Sequence, residues 1–442
     1  MGRLRMLVAL ALIGAPASAQ QDYRAADVDR RAMLDQLGIA ETRRGADGFD
    51  PKAPNAANYD EAKAGQPRLP DLLRMVDGRA VGSAAMWWKA RRPEIVQLFD
   101  REIYGRVPAT APRIRWRVDR EMRAEEGGVP VVKRWLTGVA DNRAWPGAKA
   151  EIALRYTVPV ASRRVPLILS FGFPEGFRFP GPPRAPDPGP PYTEQLLARG
   201  FGYGVLVANS IQADNGGALG DGVIGISLRG KRRSPEDWGV LRAWAWGASR
   251  ALDALARDSR VDSTRIGIEG LSRYGKAALV TLAYDQRFAI GFVGSSGAGG
   301  AALYRRDFGE RIGNLAASGE YHWFAGNFLK YAGPLTLDDL PVDSHMLIAL
   351  AAPRPIFIGA GTIETGDGWV DPRGSFLAAR AASPAWRLLG KEGLAAADFP
   401  PVLTASTAGR IGFRQHQGGH NNRDNWPVFV MFASTHLYEK EH

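Results

Sequence analysis

Cysteine is absent from all 442 positions, which excludes a disulfide framework, a thiolate metal site and a cysteine nucleophile. Long apolar runs are missing too. The early run at residues 6–13 falls short of the roughly 18 residues a bilayer-spanning helix needs, and no later segment reaches that length. No internal repeat and no nucleic-acid-binding signature is visible, and the lysines and arginines are scattered, so a nucleic-acid partner is not expected. Histidine is scarce: His322, His345, His416, His420, His436 and His442 are the whole supply, so any general base comes from a short list.

What is present begins with Arg3 and Arg5, the apolar run, and then Ala17, Ser18 and Ala19, the pattern of a secretory leader with a small-residue cleavage site. The sequence therefore predicts a signal peptide at 1–19, no integral membrane segment, and a periplasmic or secreted protein. The net charge is +11, or +9 without Arg3 and Arg5; the scattered excess, mostly arginine, reads first as an ordinary basic surface, although such a surface also attracts acidic polymers. Without disulfides, stability rests on burial. About 420 residues suffice for that, since large domains bury roughly three quarters of the surface their unfolded chains expose.

Residues 20–80 are polar and rich in Pro, Ala and Gly, with one helical pattern near 27–37, and read as an extension that wraps or precedes the core. Residues 81–442 read as one catalytic domain. It opens with a helix over 85–105 ending at Gly105, followed by strand-like alternation at 113–120, 131–137 and 151–158, an antiparallel start to a sheet. Short apolar runs at 165–171, 203–208, 266–269, 290–294 and 355–360 then alternate with helical stretches at 192–199, 238–257 and 276–284. That alternation predicts an α/β fold, a three-layer sandwich around a central, mostly parallel sheet. The insertion at 174–191 reads as a loop over the sheet's edge.

The most informative segment runs from Arg265 to Lys276, a β-run meeting a helix through a turn that contains Gly270, Ser272 and Gly275. An α/β-hydrolase places its nucleophile on such a turn, where the hydroxyl is exposed beside the free N–H groups of the next helix. Ser272 fits that position, although the second glycine of the usual GxSxG stands one residue late and Tyr274 occupies its place. The competing reading is a serine that N-caps an ordinary helix. His420, in a glycine-rich loop near the C-terminus, suits the Ser, acid, His chain order; His416 is the fallback. For the acid, the loop after 355–360 offers Glu364, Asp367 and Asp371, of which Asp367 is preferred; the others read as loop carboxylates making caps or surface salt bridges.

Together these residues resemble the glucuronoyl esterases of carbohydrate esterase family 15, in their bacterial form. Gly270-Leu271-Ser272-Arg273-Tyr274-Gly275-Lys276 is similar to that family's GCSRxGK signature, with Leu271 in place of the common cysteine. Further matches are the segments starting at Arg92, Ile103, Ala243, Ser296 and Gly319, and Gly418-Gly419-His420. The resemblance implies a serine hydrolase that cleaves 4-O-methyl-glucuronoyl esters between glucuronoxylan and lignin alcohols through an acyl-enzyme. It implies no metal or organic cofactor. A monomer is expected. Carried over by position, Arg273 serves the oxyanion hole, Lys276, Glu310 and Glu320 contact the sugar, and Trp369 lies beside the uronic ring. Many members carry the acid just before the SGxGG motif, where this chain has Ser295, which cannot serve. Others use an Asp two residues before the tryptophan of the post-strand loop, the relation of Asp367 to Trp369. The rival readings are an acetylxylan or other carbohydrate esterase on the same fold, and a noncatalytic carbohydrate-binding protein.

Overall fold

The computed structural model describes residues 23–161, 163–178 and 189–438; the expected leader at 1–19 and residues 179–188 of the 174–191 insertion lie outside the described residues. One sheet runs through the molecule. Its strands are β1 (Ile114–Glu126), β2 (Val129–Ala140), β3 (Glu151–Pro159), β4 (Val165–Gly172), β5 (Gly202–Val207), β6 (Val261–Leu271), β7 (Ile290–Gly294), β8 (Ile356–Gly361), β9 (Ala405–Ser406) and β10 (Ile411–His416). They lie in the order β1-β2-β3-β5-β4-β6-β7-β8-β10-β9.

The block from β5 to β10 is parallel, and the pairings of β1 with β2, β2 with β3, β3 with β5 and β9 with β10 are antiparallel. This is the antiparallel start and parallel continuation read from the sequence. The burial follows the same division. Along β1 exposed and half-buried residues alternate, as on an antiparallel strand with one wet face, whereas β4 and β7 are buried almost throughout.

Helices cover both faces of the parallel block. Val240–Leu255, Arg273–Tyr284 and Pro372–Leu388 belong to the larger apolar core, while Tyr192–Ala198 and Trp426–Tyr438 pack with Phe292 and Phe357 in a second core across the sheet. The three layers of the α/β expectation are therefore present. Strand order reverses between β4 and β6, and carboxyl ends of strands at such a reversal open a crevice for ligands. Ser272 stands at the end of β6.

The structure adds elements that the hydrophobic pattern did not disclose. β10 was not among the expected strands, because its sequence turns polar at Arg414, Gln415 and His416; it nevertheless pairs with β8 along six residues. The expected helix over 85–105 is a continuous run from Ala84 to Tyr104 that includes π-type stretches at Trp87–Arg91 and Asp100–Tyr104. Ser83 caps its start through the Met86 N–H. Gly105 ends it with φ 77°, and a Cβ there would lie 2.3 Å from the Asp237 carbonyl oxygen, so only glycine fits.

The N-terminal segment packs on this core. Helix Arg24–Gln36 buries Ala26, Met33 and Leu34 in the same apolar cluster as Phe328 and Leu329, and Leu72, Met75 and Val81 join them. Downstream, Asn314 clamps the segment by accepting from the Ala46 N–H and donating to the Ala46 carbonyl, each at 2.9 Å. Among the described residues, no helix is long and apolar enough to cross a membrane.

Because Leu34 is buried in that core, Leu34→Ala costs about 2–5 kcal/mol, the range for an emptied core leucine. Val28→Ala, on the exposed face of the same helix, costs under about 0.5 kcal/mol. Urea unfolding of both variants measures the difference; equal midpoints would mean that the helix frays without loss to the core.

Candidate active site

Ser272 adopts φ 61° and ψ −131°, a positive-φ conformation in which a non-glycine residue is strained, immediately before helix Arg273–Tyr284. It occupies the N-cap position, but its side chain makes no capping hydrogen bond. The simple capping reading is thereby set aside. The turn is held by the Ser272 N–H donating to the Gly294 carbonyl at 2.9 Å and the Lys276 N–H donating to the Ser272 carbonyl at 3.0 Å. The glycine spacing now has a steric reason. A Cβ on Gly270 would lie 2.1 Å from the Tyr274 carbonyl oxygen, and one on Gly275 would lie 2.6 Å from the Gly294 carbonyl oxygen. Gly275 thus permits the close approach of helix to strand even though it stands one residue later than in GxSxG.

His420 and Asp367 meet across the ends of β10 and β8. His420 Nδ1 lies 2.6 Å from Asp367 Oδ1, while Oδ2 of the same carboxylate accepts from the Gly361 N–H and the Ser295 hydroxyl, both at 2.6 Å. Asp367 is 1 % exposed, so these donors compensate the loss of water around its charge. Ser295, which cannot itself serve as an acid, hydrogen-bonds the carboxylate that reaches His420 from β8's loop. Of the competing carboxylates, Glu364 is exposed and Asp371 is turned away, with Arg306 Nε 2.9 Å from its Oδ2 and the Gly374 N–H 2.8 Å from its Oδ1. Burial raises the Asp371 carboxyl to about 6 despite Arg306. His416, the fallback base, is buried between the Gly419 carbonyl and the Asn425 side chain, outside the cavity, and burial lowers its pKa.

Ser272, His420 and Asp367 line one cavity of about 440 Å³ together with Arg273, Lys276, Ser295, Ser296, Glu310, Glu320, Trp323 and Trp369. All eight residues preferred from the sequence are gathered there, and the alternatives His416, Glu364 and Asp371 are not. Their surroundings differ from those of solvated side chains. Lys276 is 4 % exposed; its ammonium donates to Glu310 Oε2 at 2.9 Å and to the Ala298 carbonyl at 2.5 Å, and sits 5.6 Å from the centre of the Trp323 ring. The Glu310 N–H donates in turn to the Trp369 carbonyl at 3.0 Å. Glu320 Oε2 is shut off from solvent without a hydrogen-bond partner, and burial, reinforced by the Glu310 charge, pushes its carboxyl up to about 8.

Sequence reasoning missed three contributors. Asp214 accepts from the Trp323 indole N–H at 2.6 Å and lies 3.0 Å from His322 Nε2, while its other oxygen is 2.6 Å from Arg273 Nε. Burial acts to raise its pKa, but His322, Arg273 and Trp323 together hold it below the usual aspartate value. Nothing in the linear sequence ties Asp214 to Arg273. The N-terminal segment supplies Gly48, Phe49 and Tyr59 to the cavity wall, and Gly48 lies so close to Trp369 that a Cβ would come within 2.8 Å of its ring. Ser296 also lines the cavity, and its hydroxyl accepts from the Ala301 N–H at 2.9 Å. Its place in the Ser296-Gly-Ala-Gly-Gly-Ala match was the available signal.

A family model described as glucuronyl esterase of fungi matches residues 232–390, the part that carries Ser272 and Asp367. The chain is 34 % identical over 415 residues to carbohydrate esterase MZ0003 from an unknown prokaryotic organism, covering 87 % of this chain and 93 % of that protein. It is 39 % identical over 160 residues to the 4-O-methyl-glucuronoyl methylesterase of Hypocrea jecorina, about 34 % of either chain. Among solved structures it resembles a CE15 glucuronoyl esterase from Teredinibacter turnerae, with TM-score 0.86 and 42 % identity over 93 % of this chain and 99 % of that one. With the Ser272 turn and the cavity already described, this near full-length similarity places the chain in carbohydrate esterase family 15, among the bacterial glucuronoyl esterases.

Proposed function

We propose that the enzyme hydrolyses the ester between 4-O-methyl-glucuronic acid side groups of xylan and the alcohols of lignin, with Ser272 as nucleophile, His420 as general base and Asp367 as the acid. The observation that carries this reading is a single cavity that holds a strained serine, a carboxylate-bound histidine and a polar wall of Lys276, Glu310 and Glu320 facing Trp369. A uronate ring has hydroxyls for the polar groups and a C–H face for the indole. We further propose a periplasmic or secreted protein, on the ground of the leader pattern.

In this mechanism His420 Nε2 takes the Ser272 hydroxyl proton as Oγ bonds to the uronate C6 carbonyl. Asp367, bound to Nδ1, orients the imidazole and stabilises its protonated form. The oxyanion develops beside the start of helix Arg273–Tyr284, where the Arg273 N–H and the free helix-end donors act on it. The C6–O bond to the alcohol then breaks, and the alcohol leaves with the proton from His420. Water attacks the acyl-enzyme, His420 takes its proton, and the uronic acid departs as Ser272 regains its hydrogen. Asp214 holds the Arg273 side chain at 2.6 Å, which presets the cavity wall before substrate arrives.

Turnover of benzyl glucuronate, with an acetyl ester as control, tests the reading. Ser272→Ala loses at least about 10³-fold in kcat and Asp367→Asn about 10²- to 10⁴-fold, as for other triads. Glu364→Gln stays within about threefold of wild type, since Glu364 is exposed. A wild type that prefers the acetyl ester overturns the uronate assignment.

Glu320 predicts a pH dependence of KM. Its carboxyl, raised to about 8, is neutral below that pH and donates to a substrate oxygen; as pH rises through about 8 the proton is lost and KM climbs. Glu320→Gln keeps an uncharged donor and flattens the climb, so an identical KM profile in this variant argues against a protonated Glu320.

A further inference from the structure

The loop that carries His420 is tied to the strand that carries Ser272 at one point. Glu269 lies on β6 three residues before Ser272 and is 7 % exposed; its Oε1 accepts from the Asn422 side-chain amide at 2.6 Å. Asn422 follows His420 by two residues and is itself 6 % exposed. Its amide also reaches the Gly270 carbonyl at 3.4 Å, and its Oδ1 lies against Gly294, where a Cβ would come within 1.7 Å. Gly294 is the residue whose carbonyl anchors the Ser272 N–H. The Asn422 carboxamide is thus wedged between the ends of β6 and β7, next to the bond that holds the nucleophile's turn. Glu269 has no part in the chemistry described above, yet the fold buries a carboxyl here, and that burial raises it to about 7.

We infer that Glu269 and Asn422 form a latch that sets the position of His420 relative to Ser272, acting as positioning residues for proton transfer. The hydrogen bond joins the loop of His420 to the strand that leads into Ser272, which the reaction must keep in register, and a misplacement of about 1 Å between reacting groups can cost about 10²-fold in rate. The latch needs an acceptor at 269, not a charge, so glutamine can replace the glutamate.

This inference rests on Ser272 and His420 being the working pair. The test measures kcat and KM on a glucuronate ester, thermal midpoint, and the rate at which a fluorophosphonate labels Ser272, for Glu269→Ala, Glu269→Gln, Asn422→Ala and the double alanine variant. Expected are a fall of about 10- to 100-fold in kcat and in labelling rate for each alanine variant, with KM within about twofold. Glu269→Gln recovers kcat to within about threefold of wild type, and the double variant is no worse than either single one. Alanine variants that label and turn over like wild type, whether or not their melting point falls, overturn the latch; so does a Glu269→Gln variant as slow as Glu269→Ala. Should Asn422→Ala fail to fold, the comparison of Ala with Gln at 269 decides alone. Failure of the underlying reading looks different, since wild-type Ser272 would then not be labelled at all.

Discussion

A carboxylate stripped of water has to find its donors inside the protein, and the site is arranged around that requirement at Asp367. Three donors reach it: the His420 ring, the Ser295 hydroxyl and the Gly361 N–H. They arrive from β10's loop, the end of β7 and the end of β8. Satisfying one buried charge therefore ties three strand ends together, and removing a single donor leaves an oxygen under-solvated in a place water does not easily reach. Ser295 thus has a physical role in supporting a buried carboxylate that comes from the next strand.

The opposite wall follows a similar rule with opposite charges. Lys276 and Glu310 are both nearly buried and bind one another, so that neither is left as an isolated ion. Glu320, close to the same pair, is deprived of water and cannot be charged without repelling Glu310; burial first, and that repulsion second, raise its carboxyl. The cavity consequently presents a paired cation, a paired anion and a neutral acid, a set of hydrogen-bonding groups with little net charge. Such a wall suits a sugar ring better than a free ion, in keeping with a site that accepts an esterified, and therefore uncharged, uronic acid.

Strain at Ser272 is sustained by backbone packing. Gly270, Gly275 and Gly294 let β6, β7 and the following helix approach until carbonyl oxygens lie where side chains would otherwise be. The same closeness brings Asn422 within reach of Glu269. The N-terminal segment adds a further constraint from outside: Asn314 clamps it beside the Glu310 loop, and its residues Gly48, Phe49 and Tyr59 complete the cavity.

Patterns confined to short stretches of chain were legible without coordinates. Alternating apolar runs and helices determined the α/β class, a strand-turn-helix with well-placed glycines singled out Ser272, and chain order singled out His420. β10 escaped because parallel pairing can carry polar residues that no hydrophobic pattern marks. The carboxylate that meets His420 was narrowed to three within eight residues, and only tertiary structure separated them, through burial of Asp367, exposure of Glu364 and the bond of Asp371 to Arg306. The pairing of Asp214 with Arg273, the support from Ser295 and the N-terminal wall were likewise decided by folding. Local propensity acts over a few residues, whereas these contacts join positions tens to hundreds apart, and their partners are chosen by which strand ends and loops the packed core brings side by side.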